Sequence, residues 1–195
     1  MRNSQSDADR RRRRRRRRIQ VVIIYTAIAV GLAWFFELQA TTTVIFVRHA
    51  EKASVESSDP ELSDAGRARA AELARQLVDA DVVAGGDAIY STTFQRTEQT
   101  AKPVADALNL PITPYDAMNT ETIIDDIVKA HKGKIILVVG HSNTIPELIA
   151  NMGASKVVPP IAEDEYDNIY IVTIPWFGKT KTIRLRYGTP YVPAS

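Results

Sequence analysis

Residues 41–49 read TTTVIFVRH, a β-branched and apolar run from about Thr42 to Arg48 that ends on an arginine and a histidine. Successive side chains of a strand point to opposite faces. A run that is apolar at nearly every position therefore predicts a strand buried on both faces, as in a parallel sheet covered by helices. KIILVV, residues Lys134–Val139, is the clearest run of this kind, and shorter strands are expected at Ala88–Ser91 and Ile112–Tyr115. Amphipathic stretches lie between them. Ser63 or Asp64 caps a predicted helix whose apolar stripe is Ala68, Ala71, Leu73, Ala74 and Leu77. Further helices are expected at Gln95–Leu108, at Thr122–Ala130 with Ile123, Ile124, Ile127 and Val128 facing inward, and at Ile145–Met152. Ile169–Ile174 and Thr180–Tyr187 read as two last strands, a terminal hairpin or an extension of the sheet edge. This alternation predicts an α/β fold, a three-layer sandwich with a mostly parallel central sheet flanked by helices.

Upstream of this domain the chain changes character. Ile19–Phe36, IQVVIIYTAIAVGLAWFF, carries no charge over eighteen residues. As a helix it extends about 27 Å, close to the hydrocarbon thickness of about 30 Å. Nine arginines, Arg10–Arg18, precede it directly, and the first basic residue on its far side is Arg48. By the positive-inside rule the N-terminus stays cytoplasmic and the domain is exported. The expected organisation is an Arg-rich cytoplasmic tail (1–18), a single transmembrane anchor (19–36) and a catalytic domain (41–195). A cleaved signal peptide is the competing reading. The only nearby cleavage candidate, Leu38-Gln39-Ala40, has Leu where a small residue is preferred, and the apolar run exceeds the usual 7 to 15 residues.

The net charge of +2 conceals this division. Residues 1–40 hold ten arginines against three acidic side chains, a net of +7, which leaves fifteen basic and twenty acidic side chains, a net of −5, in the remaining 155 residues. A folded part that is mildly acidic speaks against a nucleic-acid-binding domain. The Arg run next to an apolar segment is explained more simply by topology than by RNA binding or a nuclear address. The absence of cysteine removes disulfides, zinc–thiolate sites and thiol nucleophiles.

Ligands of open parallel sheets bind at the carboxyl ends of strands. Three predicted strands end in suggestive residues: the first at Arg48 and His49, the second shortly before Arg96, and the strand at 134–139 before Gly140 and His141. Two imidazoles and two guanidiniums converging on one crevice suit a dianion, and phosphate fits best, because the arginine fork matches its oxygens bidentately. Backbone donors of the helix start at Ser142, Asn143 and Thr144 add to the potential there. With no thiol, the available nucleophile is a histidine. His131, the third histidine, reads as a structural residue at a helix end, Arg67, Arg69 and Arg75 as a solvated helix face, and Arg184 and Arg186 as outward strand residues.

Four stretches in order carry a family resemblance: VIFVRHAEK (Val44–Lys52), LSDAGRARA (Leu62–Ala70), YSTTFQRTEQTA (Tyr90–Ala101) and VVGHSNTIPEL (Val138–Leu148). Together they resemble the histidine phosphatase superfamily with its phosphoglycerate mutase-like fold, in a compact RHAEK variant. The residue after His49 is Ala50, where many members have glycine. The resemblance implies that His49 is phosphorylated during turnover, with Arg48, Arg96 and His141 forming the phosphate pocket, and that no metal or cofactor is required. The motif by which many members place a glutamate as general acid has no clear match. Glu121, with its long arm, is the expected acid, and Asp116 is the other candidate. Ser142 and Asn143 complete the expected substrate contacts. The implied function is a phosphatase for phosphomonoesters such as phosphosugars, lipopolysaccharide phosphates or another envelope component. The alternatives are a phosphohistidine or phosphoprotein phosphatase, or a catalytically weak phosphate-binding module.

Overall fold

In a computed structural model the described residues are 2–39, 41–80, 86–154 and 157–193, with side chains described except at 2–9, 37–39 and 121. The chain divides into two compact units, Met1–Gln39 and Ala40–Ser195. The first is one helix, α1 (Arg2–Gln39), in which every described side chain is exposed. Its stretch Arg10–Phe36 is long and apolar enough to be a membrane span or a signal sequence.

The second unit is a six-stranded sheet with helices on both faces. Its strands are β1 (Thr41–Arg48), β2 (Ala88–Thr92), β3 (Ile112–Tyr115), β4 (Ile135–Gly140), β5 (Asn168–Pro175) and β6 (Lys181–Arg186), in the order β3-β2-β4-β1-β5-β6. Its helices are α2 (Asp64–Asp79), α3 (Gln95–Leu108), α4 (Thr120–Ala130) and α5 (Ile145–Asn151). The alternation of strand side chains divides the core. Val44, Phe46, Ile136 and Val138 pack with Ile124 and Ile127 of α4 and Leu148 and Ile149 of α5. Val47, Leu137 and Val139 pack with Leu73 of α2 and Ala101 and Val104 of α3 on the other face. Phe46 is fully buried, so its truncation to alanine costs about 3 to 5 kcal/mol in transfer and cavity terms.

The sheet is mixed, which corrects the expectation of a mostly parallel one. β1, β4, β2 and β3 pair in parallel, but β5 runs antiparallel to β1 and β6 antiparallel to β5. α5 brings the chain back to the starting end of the sheet, where the Met152 carbonyl accepts from Thr180 at 3.1 Å, and the chain then reaches the other end at Ala162 and Glu165, whose carbonyls bind Arg48. β5 therefore enters from the end where β1 finishes and runs back along it. The two terminal strands form both the hairpin and the sheet edge that the sequence left as alternatives.

The stripe of α2 also differs from expectation. Gly66, Ala70, Leu73 and Ala74 are buried, whereas Ala68 and Ala71 are exposed. With Leu73 fixed inward, the helical period places Ala70 and Gly66 one and two turns before it. Ser63 is the cap, its hydroxyl accepting from the Gly66 amide at 3.0 Å. A Cβ on Gly66 would meet the Glu51 carbonyl oxygen at 2.1 Å, so only glycine lets α2 start this close to the segment leaving β1.

Candidate active site

Register brings the two histidines together. Arg48 and Gly140, the last residues of β1 and β4, are paired neighbours, and the His49 amide donates to the Gly140 carbonyl at 2.9 Å. The imidazoles of His49 and His141 therefore stand 5.4 Å apart between centroids. Arg96 enters from the first turn of α3, its guanidinium 4.3 Å from the Phe94 ring centre. Phe94 in turn meets the His141 ring edge-on at 5.2 Å. His49, Arg96, His141, Ser142 and Asn143 line one cavity of ≈ 740 Å³ with Lys52, Glu56 and Tyr166.

The backbone fixes the state of His49. Its Nδ1 lies 2.8 Å from the Ala50 carbonyl oxygen, which can only accept, so the proton of the neutral ring sits on Nδ1. The lone pair is then on Nε2. Burial, followed by the charges of Arg48, His141 and Arg96, lowers the His49 pKa to about 3 against the raising effect of the Ala50 carbonyl. Burial, then Arg96 and Arg48, lowers His141 to about 4. Both rings are neutral near pH 7. The ring nitrogen Nε2 of His141 lies 3.0 Å from the Thr92 hydroxyl, which lies 2.8 Å from the Thr97 hydroxyl. This pair of threonines holds the ring's orientation.

Ala50 is buried with Leu62 and Ala70, and its amide donates to Thr100 at 2.9 Å. Among the described residues its φ is not positive, so alanine meets the backbone requirement there.

Arg48 is buried but does not itself line the cavity among the described residues. Its Nη1 donates to the carbonyls of Ala162 at 2.7 Å and Glu165 at 3.1 Å, and its guanidinium stacks 4.3 Å from the Tyr166 ring centre. Its buried Nε has no hydrogen-bond partner among the described residues. A buried donor of this kind is costly unless a ligand satisfies it. Asp116 is exposed, and its side chain accepts from the Met118 amide at 2.9 Å in a local turn. The Glu121 side chain lies outside the described residues, although its backbone is in the first turn of α4. The amides of Thr144 and Ile145 bond back to the His141 carbonyl at 3.3 and 3.1 Å, which leaves Ser142 and Asn143 as the members of this turn that border the cavity.

Arg69 departs from the solvated reading, whereas Arg186 is exposed as an outward strand residue and is also held by ion pairs. Arg69 donates to Glu51 at 2.8 Å and to the Tyr187 carbonyl at 3.1 Å, with its side chain only 9% exposed. Arg186 is bound by Asp167 at 2.7 Å and Glu165 at 3.2 Å, while Arg184 is exposed as expected. His131 ends α4 and meets the Tyr90 hydroxyl at 2.8 Å, a structural role. Sequence reasoning also missed Asp59. Its carboxylate accepts from the Gln95 amide at 3.0 Å and stands 3.6 Å from Arg96, tying the 53–61 loop to the start of α3. The signal was an Asp-Pro pair in that loop, but nothing local linked it to an arginine thirty-seven positions on. Lys52, Phe94, Thr92 and Thr97 all fall inside the quoted motifs, where only the histidines, Arg48, Arg96, Ser142 and Asn143 were assigned to the site.

Residues 44–120 match the sequence profile of the histidine phosphatase superfamily (branch 1). His141 lies beyond this matched stretch. No curated protein matches the chain. Among solved structures it is similar to the protein histidine phosphatase SixA complexed with tungstate, at 22% identity and TM-score 0.59, covering 74% of this chain and 96% of that one. A phosphohistidine phosphatase SixA from Agrobacterium tumefaciens matches at 22% identity and TM-score 0.55, over 76% of this chain and 98% of that one. A mycobacterial glucosyl-3-phosphoglycerate phosphatase in complex with VO3 matches at 13% identity and TM-score 0.57, over 73% and 96%. The fold is shared with these phosphatases. The profile match spans the segment that carries Arg48, His49 and Arg96.

Proposed function

We propose that this chain hydrolyses phosphomonoesters through a phosphohistidine at His49, and that the apolar helix tethers it to a membrane with the domain on the extracytoplasmic side. The observation that carries the enzymatic reading is the Nδ1 contact of His49 with the Ala50 carbonyl at 2.8 Å. It leaves a neutral Nε2 lone pair in a cavity flanked by Arg96 and His141. Nε2 attacks phosphorus, the ester P–O bond breaks, and its electron pair leaves with the alcohol oxygen, which takes up a proton. Water then attacks the phosphohistidine, the P–N bond breaks, and phosphate departs with the water's oxygen. Arg96, the unsatisfied Nε of Arg48, His141, and the turn at Ser142 and Asn143 are the groups proposed to hold the phosphoryl oxygens as charge spreads over them.

The test is chemical. A quenched reaction with labelled substrate should give a protein adduct that is acid-labile and alkali-stable, and His49→Ala should lose both adduct and turnover. An adduct surviving in that variant removes His49 from the role. Sidedness is tested by a reporter that matures only outside the cytoplasm, fused after the C-terminus; activity only in the cytoplasm overturns it.

A second reading, a phosphohistidine or phosphoprotein substrate, is favoured by the use of Asp116 in its own turn. A protonated imidazole leaves without help from an acid, whereas an alkoxide gains about 10² to 10⁴-fold from one. Glu121→Gln compared on an alkyl phosphate and on p-nitrophenyl phosphate separates the two. A loss confined to the alkyl ester assigns Glu121 as the acid; equal small losses favour the phosphohistidine substrate.

A further inference from the structure

The turn between β5 and β6 is Trp176-Phe177-Gly178-Lys179-Thr180, and Trp176 and Phe177 are 72% and 89% exposed. Gly178 has φ +120, a conformation that L side chains rarely adopt, so the turn depends on glycine there. Its position is set by register. Thr41, the first residue of β1, pairs with Pro175, the residue before Trp176. Thr41 also follows the apolar helix by only two positions in sequence. The aromatic turn is thus at the end of the domain where the chain arrives from the helix.

The same end carries exposed lysines. Lys132 and Lys134 flank Gly133, whose amide donates to Thr42 at 2.9 Å, and Lys181 pairs in register with Thr173. Five of the eight lysines of residues 41–195, namely Lys129, Lys132, Lys134, Lys179 and Lys181, fall in these two segments. Asp125 and Asp87 pair with Lys129 and Lys134, whereas Lys132, Lys179 and Lys181 are exposed. Asp126 in the last turns of α4 is also exposed at this end, and acidic side chains stand at the cavity end too. Glu56 lines the cavity, and Glu163, 87% exposed, approaches Lys52 on its rim.

Aromatic side chains beside lysines match the chemistry of a membrane interface, where the rings sit at headgroup level and the cations meet anionic lipid. We propose that the Trp176–Phe177 turn and its lysines dock the domain on an anionic phospholipid surface, resting on the reading that α1 anchors the chain there. Docking by this end points the strands away from the bilayer. The seven residue steps of β1 hold Arg48, the neighbour of His49, about 23 Å from the surface. The site then takes water-soluble phosphates or phosphoproteins, and phosphates of lipids in the same membrane are out of reach.

The test uses the full chain in vesicles of phosphatidylglycerol and phosphatidylcholine carrying lipids brominated near the headgroup end of the acyl chain. The protein has two tryptophans, so Trp34→Phe leaves Trp176 as the reporter and Trp176→Phe leaves Trp34. Bromolipid quenching of Trp176 is expected to grow with the phosphatidylglycerol content. Phe177→Asp should reduce it, and Lys179→Glu should weaken docking by about five-fold or more. Turnover of p-nitrophenyl phosphate should be unchanged in both variants, which reports that they fold. Quenching of Trp34 with none of Trp176 overturns docking and leaves the anchor standing. Quenching of Trp176 that ignores both lipid charge and Phe177→Asp reflects the tether alone and also overturns docking. Quenching of Trp176 without Trp34 upholds docking and removes the anchor, and quenching of neither removes both.

Discussion

Acidification is the perturbation that probes the proposed nucleophile most directly. With a folded pKa of about 3, His49 is about 1% protonated at pH 5, whereas an ordinary histidine of pKa near 6.5 is about 97% protonated there. The sign for stability follows. The folded value is depressed, so between the unfolded and folded values the unfolded chain binds the extra proton, and stability falls as pH falls below about 6.5. At pH 5 the loss is about 2 kcal/mol for His49 relative to pH 8, and a similar amount for His141, whose folded value is about 4. These losses are set almost wholly by the unfolded value, because both folded values lie well below pH 5. Carboxylates held by arginines, such as Asp167, lose stability in the same direction, so the histidine contribution must be isolated by difference. Urea unfolding of the detergent-solubilised chain at pH 8 and pH 5, for wild type and His49→Asn, gives that difference. Wild type should lose about 2 kcal/mol more than the variant. Ring resonances of labelled histidine should show His49 untitrated down to pH 5, and its midpoint should rise on adding inorganic phosphate, whose charge favours the imidazolium. Equal losses in both proteins, or a His49 midpoint near 6 without phosphate, would refute the argument that burial and neighbouring cations keep the ring neutral.

Arg96→Lys keeps the charge but removes the fork stacked on Phe94, and should cost about 2 to 4 kcal/mol of transition-state stabilisation, roughly 30-fold to 1000-fold in kcat/KM. Unchanged turnover would place Arg96 outside the reaction. Asp59→Asn keeps an acceptor for the Gln95 amide but removes the carboxylate 3.6 Å from Arg96. Inorganic phosphate should then bind about 2- to 5-fold more tightly, the scale of a part-exposed ion pair, as read by calorimetry; weaker binding would mean that Asp59 presents Arg96 rather than competing for it. Thr92→Val removes the hydroxyl 3.0 Å from His141. It should cost about 1 to 3 kcal/mol of stability and lower kcat more than it changes KM, whereas Thr92→Ser should restore both.

Local pattern in the chain was enough to place the elements and to point to strand-end residues as the candidate site. Helix Gln95–Leu108 and strand Ile112–Tyr115 form at their expected bounds, because hydrophobic period, caps and breakers act within a few residues. His49 and His141 were legible for the same reason, each following a buried apolar run, and strand ends in such a sheet converge. The tertiary structure alone decided what depends on pairing between distant segments. The local pattern of β5 is that of any buried strand, and its antiparallel direction was set by where the chain re-enters the sheet. Arg69 looked solvated beside Arg67 and Arg75, and became buried only because β6 delivers the Tyr187 carbonyl, 118 positions away, to its guanidinium. The Thr92 contact with His141 and the Asp59 contact with Arg96 have the same origin. A polar side chain carries no mark of its partner, and the cost of burying it is met only when the fold supplies one.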